Sequence, residues 1–183
     1  MTWYPAISYT MQRAITQRVE PSAFNGPYDG IIHQLFETGN YMNCPHFLRP
    51  GVNEPFWYEV QEVVPFSPIF FLEIRALSAL DSVADREKAD LQTRERMVKL
   101  VGQSPLRVLH GVSAMGPYLC FYKYDKDHPE LGITPSISLV EGGASSDTTP
   151  RELWNYDVMN EEGENKLRGI AEEVKRACSA LAF

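Results

Sequence analysis

Cysteine is scarce in this chain: Cys44, Cys120 and Cys178 are the only three in 183 residues. No two of them form a CxxC pair, and any pairing leaves one thiol over. A disulfide framework and a zinc site are therefore not expected; structural thiols in a reducing compartment are. Long apolar runs are lacking too. IFFL at 69–72 is typical of what the chain offers, far short of the roughly 20 residues needed to span a bilayer. The N-terminal stretch MTWYPAISYTMQRAITQRVE holds no continuous apolar segment of the kind a secretory signal requires. The expectation is an intracellular protein, cytoplasmic or nuclear, with no membrane partner. Positive charge is in deficit, with 17 Lys and Arg against 24 Asp and Glu, a net of −7. That deficit is local. Residues 1–124 carry 11 basic and 12 acidic side chains, whereas residues 125–183 carry 6 and 12. The acidic last third says little about what the nearly neutral front could bind.

What the chain does have is enough apolar material, 44% with 11% aromatic, to build a core. No repeat or long linker divides it, so 1–183 is expected to be a single domain. The helical spacing of Ile7, Met11, Ala14, Ile15 and Val19 predicts a helix within 3–20. PSAFNGPYDG reads as a turn cluster, followed by a second helix over 28–36 in which His33 is expected to be a partly buried, hydrogen-bonded histidine. Strands are predicted at 41–48, 56–64 and 69–77, the last two forming an antiparallel hairpin across PFSP. The run at 69–77 is rich enough in apolar residues for a central strand covered on both faces.

Beyond the hairpin, Ser82 is a good N-cap and Gly102 with Pro105 a good stop, so a helix is predicted between them. Its expected apolar face is Ala84, Leu91, Val98 and Val101, with its many charges forming a solvated, pair-laced surface. Strands are predicted at 106–110 and 118–124, joined by a GVSAMGP loop. That loop has one residue too many for a GxSxG nucleophile turn and joins strand to strand, so a hydrolase elbow is rejected. Thr149-Pro150-Arg151-Glu152 reads as a capping box opening a short helix through Trp154. Leu167, Ile170, Ala171, Val174, Cys178 and Leu181 make a continuous stripe for a final packing helix, with Glu161, Glu162 and Glu164 at its start as the helix dipole favours. The fold class expected is α+β, with a mixed sheet of about four to five strands flanked by helices.

Chemistry concentrates on the second hairpin strand. Alternation puts Phe71, Glu73 and Arg75 on one side and Phe70, Leu72 and Ile74 on the other. A carboxylate and a cation on a central strand either pair as structure or mark a site.

The segments FNGPYDGIIHQLF (24–36), PIFFLEIRAL (68–77), ADLQTRER (89–96), LHGVSAMGPYLCFY (109–122) and DTTPRELWNYDVMNEEGENKL (147–167) carry a resemblance. In order and spacing the chain is similar to PD-(D/E)XK nuclease-like proteins, and among them to uncharacterised basidiomycete fungal members. The resemblance implies a restriction-endonuclease-like core and metal-dependent phosphodiester hydrolysis of DNA or RNA. It implies Mg²⁺ or Mn²⁺ held by Glu73 and a second carboxylate on the first hairpin strand. Arg75 stands where the family carries lysine, and Gln92 is a helix contribution to the same site. An arginine can hold a phosphate but cannot serve as a base. No aspartate lies between Asp29 and Asp81, so Glu59 or Glu62 must supply the second carboxylate. A four-residue PFSP loop pairs Val64 with Ile69, sets Val60 opposite Glu73 and leaves Glu62 diagonal to it; a loop one residue shorter or longer puts Glu59 or Gln61 opposite Glu73 instead. Two alternatives to hydrolysis stand beside it. One is a degenerate fold that binds nucleic acid or protein; the other is a fold repurposed for small-molecule chemistry.

Overall fold

Strand pairing sets the frame, and the polar residues of one strand decide how a helix lies on it. The computed structural model describes residues 2–17, 20–46, 56–62, 66–136 and 148–181. Its strands are β1 (Tyr41–His46), β2 (Phe56–Glu62), β3 (Ser67–Arg75), β4 (Val108–Met115), β5 (Tyr118–Asp125) and β6 (Tyr156–Asp157), in one sheet of that order. The helices among the described residues are α1 (Pro5–Gln17), α2 (Asn25–Leu35), α3 (Val83–Val101) and α4 (Glu161–Ser179). Neighbouring strands are antiparallel except β3 and β4, which are parallel. Parallel neighbours need a crossover connection, and α3 is that crossover. The fold is thus α+β, with six strands where four to five were expected. The extra strand is the two-residue β6, too short to leave a pattern. No described helix is long and apolar enough to cross a membrane.

The 56–64 and 69–77 pairing is an antiparallel hairpin, as read from the sequence, with 63–65 outside the described residues. Every residue of β3 from Pro68 to Ile74 is buried, which fits a strand covered on both faces. One face of the sheet carries α3, through contacts to Glu73 and Tyr122. The other carries α2 and α4, through Tyr58 to Asp29 and His110 to Glu173. The α1 helix packs against α2, where Gly30 lets Ile7 approach to within 2.9 Å of where a Cβ would sit. The final helix is as expected: Asn160 caps it by accepting from Gly163 N at 2.8 Å, and Leu167, Ile170, Ala171, Val174 and Cys178 are buried.

Several local expectations need correction. GVSAM is strand, not loop: β4 runs unbroken to Met115, and only Gly116-Pro117 turn. Ser113 is buried within it and accepts from Trp154 Nε1 at 3.3 Å, so it is a packing hydroxyl. The segment after Thr149 makes only a 3-10 turn, Arg151–Leu153, without a side-chain cap. His33 is exposed, with Nδ1 2.8 Å from the carbonyl of Asp29. The largest departure is α3. Leu91 and Val98 are 57% and 65% exposed, whereas Arg86, Ala89, Asp90, Thr93, Met97 and Leu100 are buried. The helix is turned so that Asp90, Thr93 and Arg96 meet Tyr122 and Glu73 of the sheet, with Ala89, Met97 and Leu100 buried beside them.

Two outcomes check this packing. A Cβ on Gly111 would lie 2.2 Å from the Phe71 ring across the parallel pair, so Gly111→Ala should cost about 1–3 kcal/mol, read from urea unfolding. Burial pushes the thiols of Cys120 and Cys178 up to about 12. The thiolate is the reactive form, and at pH 8 it is only on the order of one part in ten thousand for such a thiol. Disulfide-exchange reagents should therefore label both only after unfolding.

Candidate functional site

The register of the hairpin decides which carboxylates share a face. Glu62 pairs with Ser67, and a bulge between Val60 and Gln61 shifts the ladder, so Trp57 stands opposite Glu73 and Glu59 opposite Phe71. Upstream of the bulge the strands are offset by three residues from the Val64–Ile69 register. An odd shift exchanges faces. Glu59 is therefore the diagonal neighbour of Glu73, and Glu62 faces the other side. There Glu62 lies beside Cys178 of α4, with burial raising its carboxyl above the usual range against the pull of that thiol. Glu62 belongs to no site with Glu73.

Glu73 itself is fully buried. Its Oε1 accepts from Arg96 Nε at 2.5 Å and its Oε2 from Thr93 Oγ1 at 3.2 Å, both donors from α3. The Arg96 guanidinium also lies 3.8 Å from the ring centre of Trp57, the residue paired with Glu73. His46, the β1 partner of Trp57, stacks on the same indole at 3.8 Å with an interplanar angle of 5°. Burial and the nearby Arg96 charge lower the pKa of His46, while Glu59 works the other way. One arginine thus neutralises the carboxylate and covers the aromatic beside it.

Arg75 does not pair with Glu73, although two residues apart on one face. Its Nη2 donates to Gln92 Oε1, and its Nε is buried without a hydrogen-bond partner among the described residues. Burial lowers its pKa, against the charges of Glu73 and Asp85 and with that of Arg96. Glu59 is 7% exposed, accepts from Gln61 Nε2 at 2.5 Å, and has His46 Nε2 at 3.6 Å from its other oxygen. Further along α3, Asp90 accepts from Tyr122 OH at 2.9 Å and from Arg94 Nε at 2.7 Å. The interface between α3 and the sheet is a layer of polar groups that are mostly paired, with Arg75 Nε an exception.

The residues named from the sequence are only partly brought together. Glu73, Arg75, Gln92 and Glu59 lie on one face; Glu62 does not. A metal ion does not fit them as arranged. Both oxygens of Glu73 point at donors, and no group of three or more His, Cys, Asp or Glu among the described residues is placed to hold an ion. A dication about 4 Å from a guanidinium would also be repelled by on the order of 8 kcal/mol at an effective dielectric near 20. The residues that sequence reasoning missed are Thr93 and Arg96. Their signal was the 3–4 spacing of Ala89, Thr93, Met97 and Leu100, which competes with the Leu91 and Val98 stripe. No family model, curated protein or solved structure matches the chain.

The Arg96–Glu73 pair carries a direct test. Arg96→Met strands a buried carboxylate and should cost about 3 kcal/mol. The double change with Glu73→Gln should recover much of that, measured as a double-mutant cycle in urea.

Proposed function

We propose that this protein is a PD-(D/E)XK-like domain whose hydrolytic face has become structural, and that it acts by binding a partner and not by cleaving one. The observation that carries this reading is the burial of Glu73 with Arg96 and Thr93 on its two oxygens. A metal-dependent phosphodiesterase needs that carboxylate free for the cation, which must reach both water and phosphate. What supports the family likeness is the order of elements: a helix, three antiparallel strands, a crossover helix and a strand parallel to the third. Fold likeness does not bring the chemistry with it. DNA or RNA is the first partner to test, because the family likeness implies it.

A second reading, metal-dependent hydrolysis, is favoured by the diagonal placement of Glu59 and Glu73 on one face. Thermal shift with stepped Mg²⁺ and Mn²⁺, run beside DNA and RNA cleavage assays, separates the two. A ligand bound only by the native state raises Tm with concentration. The expected outcome is no metal-dependent rise in wild type or in Arg75→Lys, no cleavage, and retained gel-shift binding. A Tm rise together with cleavage that is lost in Glu73→Gln would establish the second reading in its place.

A further inference from the structure

The helix-rich face holds a feature that the Glu73 layer does not use. Between α4 and the adjoining ends of β4 and β5 lie two neighbouring cavities of about 440 and 340 Å³, with Arg107, Val108, His110 and Glu173 in the walls of both. The larger is otherwise mainly apolar, floored by Leu106, Val174 and Ala177. The smaller opens between Lys123 and Lys166. Their combined size is in the range of pockets that hold small organic molecules.

His110 stands at the junction. It is 6% exposed, and its Nε2 is buried without a hydrogen bond among the described residues, although Glu173 Oε1 lies 3.3 Å away. The carboxylate it faces is 55% exposed, so this contact lies at the cavity wall and is not sealed in the core. Lys123 is its direct cross-strand partner on the same face, and Lys166 reaches in from α4 with its ammonium 6.0 Å from the Phe121 ring. The acidic groups facing the same space are Glu173 and Asp125. Asp125 has Arg107 3.8 Å away, and Arg107 is also 3.5 Å from Asp127. Arg107 offsets one of those two aspartates, and Lys123, Lys166 and Glu173 stand around the imidazole.

We propose that this groove binds a small amphiphilic organic anion, its carboxylate or phosphate head held by Lys123, Lys166 and His110 and its apolar body lying over Leu106, Val174 and Ala177. The site is on the opposite side of the sheet from Glu73, so it stands or falls separately from the reading given above. Burial, with the charges of Lys123 and Lys166, holds the pKa of His110 below its usual value, and Glu173 opposes them. A bound anion adds a charge of the sign that favours imidazolium. The pKa of His110 is then higher in the complex than in the free protein. Affinity should rise as pH falls through that interval and level off below the lower value.

The experiment uses the full chain with three probes, octanoate, octyl phosphate and inorganic phosphate, by calorimetry and by NMR of the His110 ring. Saturable binding of at least one octyl probe is expected, at least tenfold tighter than inorganic phosphate, with a shift of the His110 resonances and tighter binding at pH 6 than at pH 8. The two octyl probes distinguish a carboxylate from a phosphate head. Lys123→Glu and Lys166→Glu alter exposed side chains and should each weaken binding about tenfold or more. Glu173→Gln should strengthen it several-fold, which a merely structural role would not do. Absence of saturable octyl-probe binding overturns the proposal. So does octyl-probe binding no tighter than phosphate, or binding indifferent to both lysine reversals.

Discussion

A carboxylate in the middle of a strand covered on both faces has to be neutralised where it stands. The desolvation of an unpaired ion there is worth several kcal/mol, comparable with much of a domain's net stability. Glu73 occupies that position, and Arg96 and Thr93 meet it from α3. Their spacing of three residues places both donors over the same stretch of sheet. An unpaired buried ion is a penalty, whereas an exposed leucine or valine only forgoes about 1.5–3 kcal/mol of burial each. The helix accordingly directs its polar side inward and leaves Leu91 and Val98 in solvent.

The same constraint gives the two sides of the sheet different characters. Beneath α3 the layer is polar, and its principal groups already have partners: Glu73 with Arg96 and Thr93, Arg75 with Gln92, Asp90 with Tyr122 and Arg94. A buried layer whose principal groups already have partners is well specified. It is poorly suited to exchanging partners during a catalytic cycle. On the opposite side the packing of α2 and α4 is mainly apolar, with Phe36 against Phe70 at 5.4 Å. Coverage thins toward the ends of β4 and β5, and there His110 is left beside open volume.

Trp57 links the two hairpin strands to the crossover helix. It pairs with Glu73, stacks with His46 and lies under Arg96. An arginine shared between an aromatic face and a carboxylate keeps its charge but loses its freedom, and lysine could not replace it in that geometry. The cation that matters to Glu73 is thus four turns along a helix from the strand, not two residues along the strand.

The order of elements was legible in the sequence. Strand-length runs around a short turn, Ser82 as an N-cap that accepts from Asp85 N at 3.2 Å, and the stripe of α4 are local signals, and local signals survive folding. The coverage of β3 on both faces was legible too, from the apolar run at 69–77, while the choice between a structural charge and a site at Glu73 was left open. Three things were decided only in tertiary structure. The bulge after Val60 set the register, and with it the choice of Glu59 over Glu62 as the companion of Glu73. The inward rotation of α3 chose Arg96 over Arg75 as the counter-ion. The coverage by α4 left His110 lining a groove while Leu106 and Val174 became its floor. Each depends on what an element packs against, and a period of 2 or 3.6 states which residues share a face without stating what that face will meet.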